Sequence, residues 1–188
     1  MNRRAFVLTS SAAALVAGPA LAAKPAAAPP FGASANGAAA SLEVQTAKFK
    51  QQMKAMGYGG ADVFYELGGA ASPVRFKASD ALAFTSAEPA DIDPQQRFGL
   101  FRLTTVKNTR RLTTGKVNPL GYGTRNVKNQ AAVAFSATRG DAGWTISPAE
   151  TLTPGEYALA IAPKLGNNTW GWGGHGGGNQ VVAAFGVD

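Results

Sequence analysis

The chain contains no cysteine among its 188 residues. That absence excludes disulfides, a thiol nucleophile, zinc–thiolate sites and thiolate-held iron–sulfur clusters. Histidine occurs once, at His175. Metal centres combine several His, Asp or Glu ligands, so no metal site is assigned and no cofactor is expected. No apolar run is long enough for a stable membrane-spanning helix. Acidic residues are absent between Asp93 and Asp141. Elsewhere Glu66, Glu150 and Glu156 read as isolated, so no paired-carboxylate hydrolase pattern is defined. No catalytic constellation emerges, and the expected class is a non-enzyme.

What the chain does contain starts with MNRRAFVLTSSAAALVAGPALAA. Arg3 and Arg4 form a positive n-region, Ala5 to Ala17 is moderately apolar, and Ala20-Leu21-Ala22 is a small-x-small cleavage site. Residues 1–22 therefore read as an export signal. The arginine pair followed by Phe6, Val7 and Leu8 partly matches a twin-arginine signal, with an ordinary Sec signal as the alternative. Location in the periplasm or at the cell surface is the expectation. Residues 23–40, rich in Ala and Pro, read as a disordered spacer, because they offer little apolar surface to offset ordering entropy.

The stretch 41–57 is the one helix candidate, with Leu42, Phe49, Met53 and Met56 near one face and Gly57 as a stop. Its first half, LEVQ, also alternates, which leaves an initial strand open. As a basic amphipathic helix it would either lie on a membrane surface or dock on the domain. Residues 58–188 read as strands. The runs DVFYEL, PVRFKA, ALAFTS, FGLFRLTTV, RRLTTGKV, AAVAFSA, WTIS, EYALAIA and QVVAAFGV are separated by Gly, Pro, Asp and Asn turns. That spacing predicts an all-β fold: a single Ig-like or related β-sandwich, or a barrel, of roughly eight to ten strands. In the last two runs Ala158, Ala160 and Ala162, then Val182, Ala184 and Gly186, form a small, uncharged second face. A strand with one face in water alternates with polar residues. Either the helix or a long loop covers this face, or it is a flat surface for a partner.

LTPGEYALAIA followed by the final VVAAFGVD resembles a pattern in exported bacterial β-domains of uncharacterised function. The earlier DPQQRFGLFRLTTVKNTRR is similar as well, so the resemblance covers Val74 to Asp188. It implies a β-sandwich and an extracytoplasmic location, and no activity. Pro154-Gly155 suits the centre of a type II turn.

Two features invite a partner. The first is charge. The net charge is +7, and without Arg3 and Arg4 the chain keeps 16 basic against 11 acidic side chains. Nine of the positive charges fall between Asp93 and Asp141: Arg97, Arg102, Lys107, Arg110, Arg111, Lys116, Arg125, Lys128 and Arg139. Paired as neighbouring strands, these runs would form a basic face for an anionic envelope polymer or an acidic protein. Alternation limits that count, since Arg110 and Arg111 point to opposite faces of a strand. Aromatic interleaving is sparse, so specific nucleic acid binding is not expected. The second feature is NNTWGWGGHGGGN, Asn167 to Asn179, where Trp170 and Trp172 could stack on a ligand or anchor the loop. Its G-x-G-x-x-G match is no dinucleotide site, because no helix follows it. The leading expectation is a binding protein for an anionic envelope component. The alternatives are an assembly subunit using the Ala-rich faces and the Trp loop, and a small hydrolase.

Overall fold

The computed structural model describes residues 31–54, 60–88, 91–117, 124–126, 131–141, 143–161 and 179–188. Among the described residues, fourteen strands and one short helix run in the order β1 (Gly32–Ala35), β2 (Ala38–Ala40), β3 (Glu43–Met53), β4 (Ala61–Gly68), β5 (Arg75–Phe76), β6 (Leu82–Ser86), α1 (Pro94–Arg97), β7 (Phe98–Val106), β8 (Thr109–Val117), β9 (Thr124–Asn126), β10 (Ala132–Val133), β11 (Phe135–Gly140), β12 (Gly143–Pro148), β13 (Gly155–Ile161) and β14 (Gln180–Val187). Two sheets pack as an all-β sandwich. The smaller has the order β11-β12-β6-β1-β2. The larger runs β10-β7-β13-β14-β3-β4-β8-β9, with β5 beside β14.

The larger sheet also closes on itself, because β7 and β8 pair through Thr104↔Arg111, Thr105↔Arg110 and Val106↔Thr109. Strands β7, β13, β14, β3, β4 and β8 thus form a ring. Each strand of the ring sends side chains inward. Ala47, Tyr65, Leu67, Phe101, Leu103, Leu112, Ala158, Ala160, Val182 and Ala184 make one buried cluster. A six-stranded ring has a narrow interior, so small residues on one wall make room for larger ones opposite. Ala158, Ala160, Val182 and Ala184 are therefore neither a partner surface nor covered by a helix or loop: the curled sheet covers them itself. Ala162 lies outside the described residues.

The outward side chains of β7, β13 and β14 form the second cluster with the smaller sheet. Phe98, Leu100, Tyr157, Leu159, Ala183, Phe185 and Val187 meet Phe31, Leu82, Phe84, Trp144 and Ile146. Phe185 sits among the rings of Phe76, Phe84 and Tyr157, with centroids 5.7, 5.3 and 5.6 Å away. β13 and β14 are thus buried on both faces, one core on each side.

Two expectations fail at the N-terminal side. The helix expected over 41–57 is the strand β3, which pairs with β14 and β4. Its inward residues include Gln45, Ala47, Phe49 and Gln51, so the two-residue period is hard to see in hydrophobicity alone. Of the spacer expected over 23–40, residues 31–40 are ordered and packed; 23–30, like the signal read over 1–22, lie outside the described residues. Phe31 is 2% exposed and meets Phe98 edge-on at 6.0 Å. β1 then pairs with β6, and Asn36 and Gly37 turn it into β2 with φ of 52° and 81°. Asn-Gly is the dipeptide a two-residue hairpin favours. The domain therefore begins well before residue 58. The proposed type II turn is also corrected: Gly155 has φ 158° and opens β13, paired with Val187. The Asp-rich segment before β7 is a helix start, with Asp93 capping α1 through Gln95 N at 2.9 Å.

Candidate functional site

One pole of the ring is closed by ions. Arg110 points inward from β8 and is 0% exposed. Its guanidinium donates to Glu43 Oε2 at 2.9 Å, Gly68 O at 2.8 Å and Gly69 O at 3.2 Å, and lies 3.6 Å from Glu156 Oε2. Glu156 also accepts from Ser72 N at 2.8 Å and is paired with Arg75, which in turn holds Asp188. The pieces PGEYA and FGVD meet here: Glu156 lies opposite Gly186 and Tyr157 opposite Phe185. Gly186 has no side chain because a Cβ there would overlap the Arg75 guanidinium. Glu156 is therefore not isolated, and Arg110 is a structural ion rather than part of a ligand face.

The remaining cations of the 97–139 stretch do not share one surface. Arg97 pairs with Glu88 beside α1 at 2.8 Å. Arg102 lies on the outside of β7 and donates to Pro154 O at 2.8 Å. Lys107 is exposed in the turn between β7 and β8, at φ 54°. Arg139 stands over the Trp144 ring at 5.7 Å and donates to Glu88 O at 2.7 Å, on the smaller sheet. Arg125 is in β9, in register with Lys116. Lys128, Trp170, Trp172 and His175 lie outside the described residues.

Arg111 and Lys116 do share a surface, and three lysines from β3 and its end join them. On the outer wall of β3, β4 and β8, Lys48 is in register with Glu66 and Arg111, and Gln52 with Asp62 and Lys116. Lys50 stands between them, and Lys54 reaches Asp62 at 2.7 Å from just past β3. Glu66 is bonded by Lys50 and by Arg111, the latter at 2.9 Å. Arg111 also lies over the Phe64 ring at 4.5 Å and donates to Gln52 Oε1 at 3.2 Å. Lys48 and Lys116 are exposed and have no acidic partner among the described residues. The wall thus carries five cations against two carboxylates, and both carboxylates are already engaged.

Sequence reasoning missed Lys48, Lys50 and Lys54 because it placed them on a helix. The signal was available in KFKQQMK: lysine, lysine and glutamine at every second position are the polar face of a strand. The hydrogen bond from Lys50, helped by Arg111, holds the Glu66 carboxyl below the usual range. A depressed carboxylate contributes stability above its unfolded pKa, near 4.3, that is lost as pH falls through the folded value. Glu66→Gln is accordingly expected to flatten the acid side of the stability curve below about pH 4.3 while changing its slope little near neutrality. Urea unfolding across that pH range checks it. An unchanged acid slope would mean the pair adds nothing.

A cleft of about 530 Å³ opens at the end of the smaller sheet, lined by Ser34, Lys77, Asp80, Ser147, Glu150 and Leu152 among others. Its charges are mixed, and its walls bring no set of ligating groups together. Among the described residues no group of three or more His, Asp or Glu is placed to hold a metal ion, and no helix is long and apolar enough to cross a membrane. No protein-family model matches the chain, and no curated protein matches it significantly.

Proposed function

We propose that this is an exported, non-catalytic binding protein of the periplasm or cell surface that holds an anionic envelope component on the outer wall of β3, β4 and β8. The carrying observation is the excess of cation there: Lys48, Lys50, Lys54, Arg111 and Lys116 against Asp62 and Glu66. Clustered charge of one sign on a firm sheet attracts polyanions over a Debye length of about 8–10 Å. The export reading rests on residues 1–22, and the resemblance of Val74 to Asp188 to exported β-domains agrees with it. The assembly reading has lost the Ala-rich faces it relied on.

The test is co-sedimentation of the chain lacking residues 1–22 with isolated cell envelopes. Binding is expected at low salt, release at high salt, and loss in Lys48→Glu/Lys116→Glu. A Trp170→Ala/Trp172→Ala variant is expected to bind as the parent does. Salt-resistant binding that the tryptophan variant loses would move the contact to the TWGW loop and overturn the wall.

A further inference from the structure

The cleft at the end of the smaller sheet is framed by two fixed loops. β1 and β12 flank β6 on either side. Residues 77–81, which lead into β6, are tied to the β1–β2 turn. Asn36 N donates to Ala81 O at 2.9 Å, Ala81 N to Asn36 Oδ1 at 2.8 Å, and Asn36 Nδ2 to Asp80 Oδ1 at 2.9 Å. Asp80 Oδ2 accepts from Lys77 N at 2.8 Å, and Ala78 N donates to Asp188 O at 3.0 Å. Residues 149–152, which follow β12, are held by Ala149 N donating to Ala134 O at 2.9 Å and by the buried Leu152. Both carboxylate oxygens of Asp80 are thus engaged within the frame. Lys77 and Glu150 differ. Both line the cleft and are exposed, and neither side chain has a hydrogen bond or ion pair among the described residues. They come from opposite flanks of β6 and do not pair with each other. The floor is apolar, with Leu82, Leu152 and Val187, while Ser34, Ser147 and Thr151 add hydroxyls.

We propose that this cleft binds a short peptide with free ends, its carboxylate against Lys77 and its ammonium against Glu150. A volume of about 530 Å³ lies within the range of small-ligand sites, roughly 300–1,000 Å³. A ligand with one charge would leave Lys77 or Glu150 without a partner. A polyanion would meet Glu150 and Asp80 as like charges. A zwitterion meets both free groups with the opposite sign. A peptide, unlike a single amino acid, spans charges that stand apart, and its amides suit the hydroxyls between them. No aromatic ring lines the cleft among the described residues, so a sugar face has nothing to stack on. The site lies away from the basic wall of β3, β4 and β8, and neither depends on the other.

The experiment titrates the full exported chain with trialanine, N-acetylated trialanine, trialanine amide and alanine, read by backbone amide NMR shifts. Trialanine is expected to shift residues 77–81 and 149–152. Acetylation and amidation are each expected to weaken binding by about fivefold, the upper range for a solvent-exposed ion pair. Lys77→Gln is expected to abolish the penalty of amidation and keep that of acetylation, and Glu150→Gln to do the reverse. Both positions are exposed, so unchanged thermal midpoints separate binding from folding. No shift at millimolar trialanine, or shifts confined to other parts of the protein, overturns the site. Equal binding of free and capped peptides, or penalties that the two variants leave in place, overturns recognition of the peptide ends. Alanine binding as tightly as trialanine overturns the peptide in favour of a single amino acid.

Discussion

Arg110→Ala is expected to destabilise the protein by about 3–5 kcal/mol, enough to remove much of the stability of a typical domain. The cost comes from what remains behind. Arg110 is wholly buried, and it neutralises Glu43 and Glu156 while bonding the carbonyls of Gly68 and Gly69. Without it, Glu43 is left with no cation partner among the described residues, and the carbonyls of Gly68 and Gly69 lose the guanidinium donor, Gly68 O keeping Gln45 Nε2 at 3.4 Å. Arg110→Met, which keeps most of the volume, is expected to cost nearly as much, because the lost term is charge compensation rather than packing. Adding Glu43→Leu to Arg110→Met is expected to recover part of the loss, because the stranded carboxylate goes with it. Urea unfolding with a constant m-value measures all three. A loss below about 1 kcal/mol for Arg110→Ala would show that water enters the pole and replaces the guanidinium. Arg111→Ala on the neighbouring residue is expected to cost far less, because its ion pair is partly solvated.

That contrast between adjacent arginines was legible in the sequence. A strand sends successive side chains to opposite faces, so RR in a strand means one inside and one outside. Which of them is inside was not legible, because it depends on the register of β8 against β4, set by contacts more than 40 residues apart. Each of the nine alternating runs from Asp62 onward contains a strand, though PVRFKA is one only at Arg75–Phe76, Ala162 of EYALAIA lies outside the described residues, and AAVAFSA is split into β10 and β11 at Ala134. β1 and β2 escaped because an Ala-rich composition hid the Asn36-Gly37 hairpin signal. β3 escaped because apolar residues at positions 42, 49, 53 and 56 mimic helical spacing while its inward face carries glutamines. Closure of the ring could not be read at all. It is decided by β7 and β8 meeting at the far end of a chain of pairings. The small face of Ala158, Ala160 and Ala184 was nevertheless a trace of it, since only a second layer of backbone close by makes alanine the fitting size. The basic site was half visible for the same reason. Charge counted along the sequence placed it within residues 97–139, while the fold assembles it across β3, β4 and β8.

Phe185→Ala and Ala184→Phe test the two-core architecture from neighbouring positions on β14. Phe185 is fully buried against Phe76, Phe84 and Tyr157, where the two sheets meet. Truncating it is expected to cost about 3–5 kcal/mol, through lost transfer energy and a cavity its ring-shaped neighbours cannot close. Ala184 is also fully buried, but on the opposite face, inside the ring and beside Ala158 and Ala160. There the error is the reverse. A phenyl group has no space between six strands, so Ala184→Phe is expected to cost about 1–3 kcal/mol or more through overpacking. Ala184→Gly is expected to cost less than either, roughly 1 kcal/mol, from strand entropy and one lost methyl. If the larger sheet were open, the second face of β14 would have solvent or a loose cover beyond it, and Ala184→Phe would be nearly neutral. A cost near zero for Ala184→Phe, beside a large cost for Phe185→Ala, would therefore count against a closed ring while leaving the sandwich intact. Comparable losses at both positions, read from the same unfolding transition, would show that β14 is the shared wall of two packed interiors.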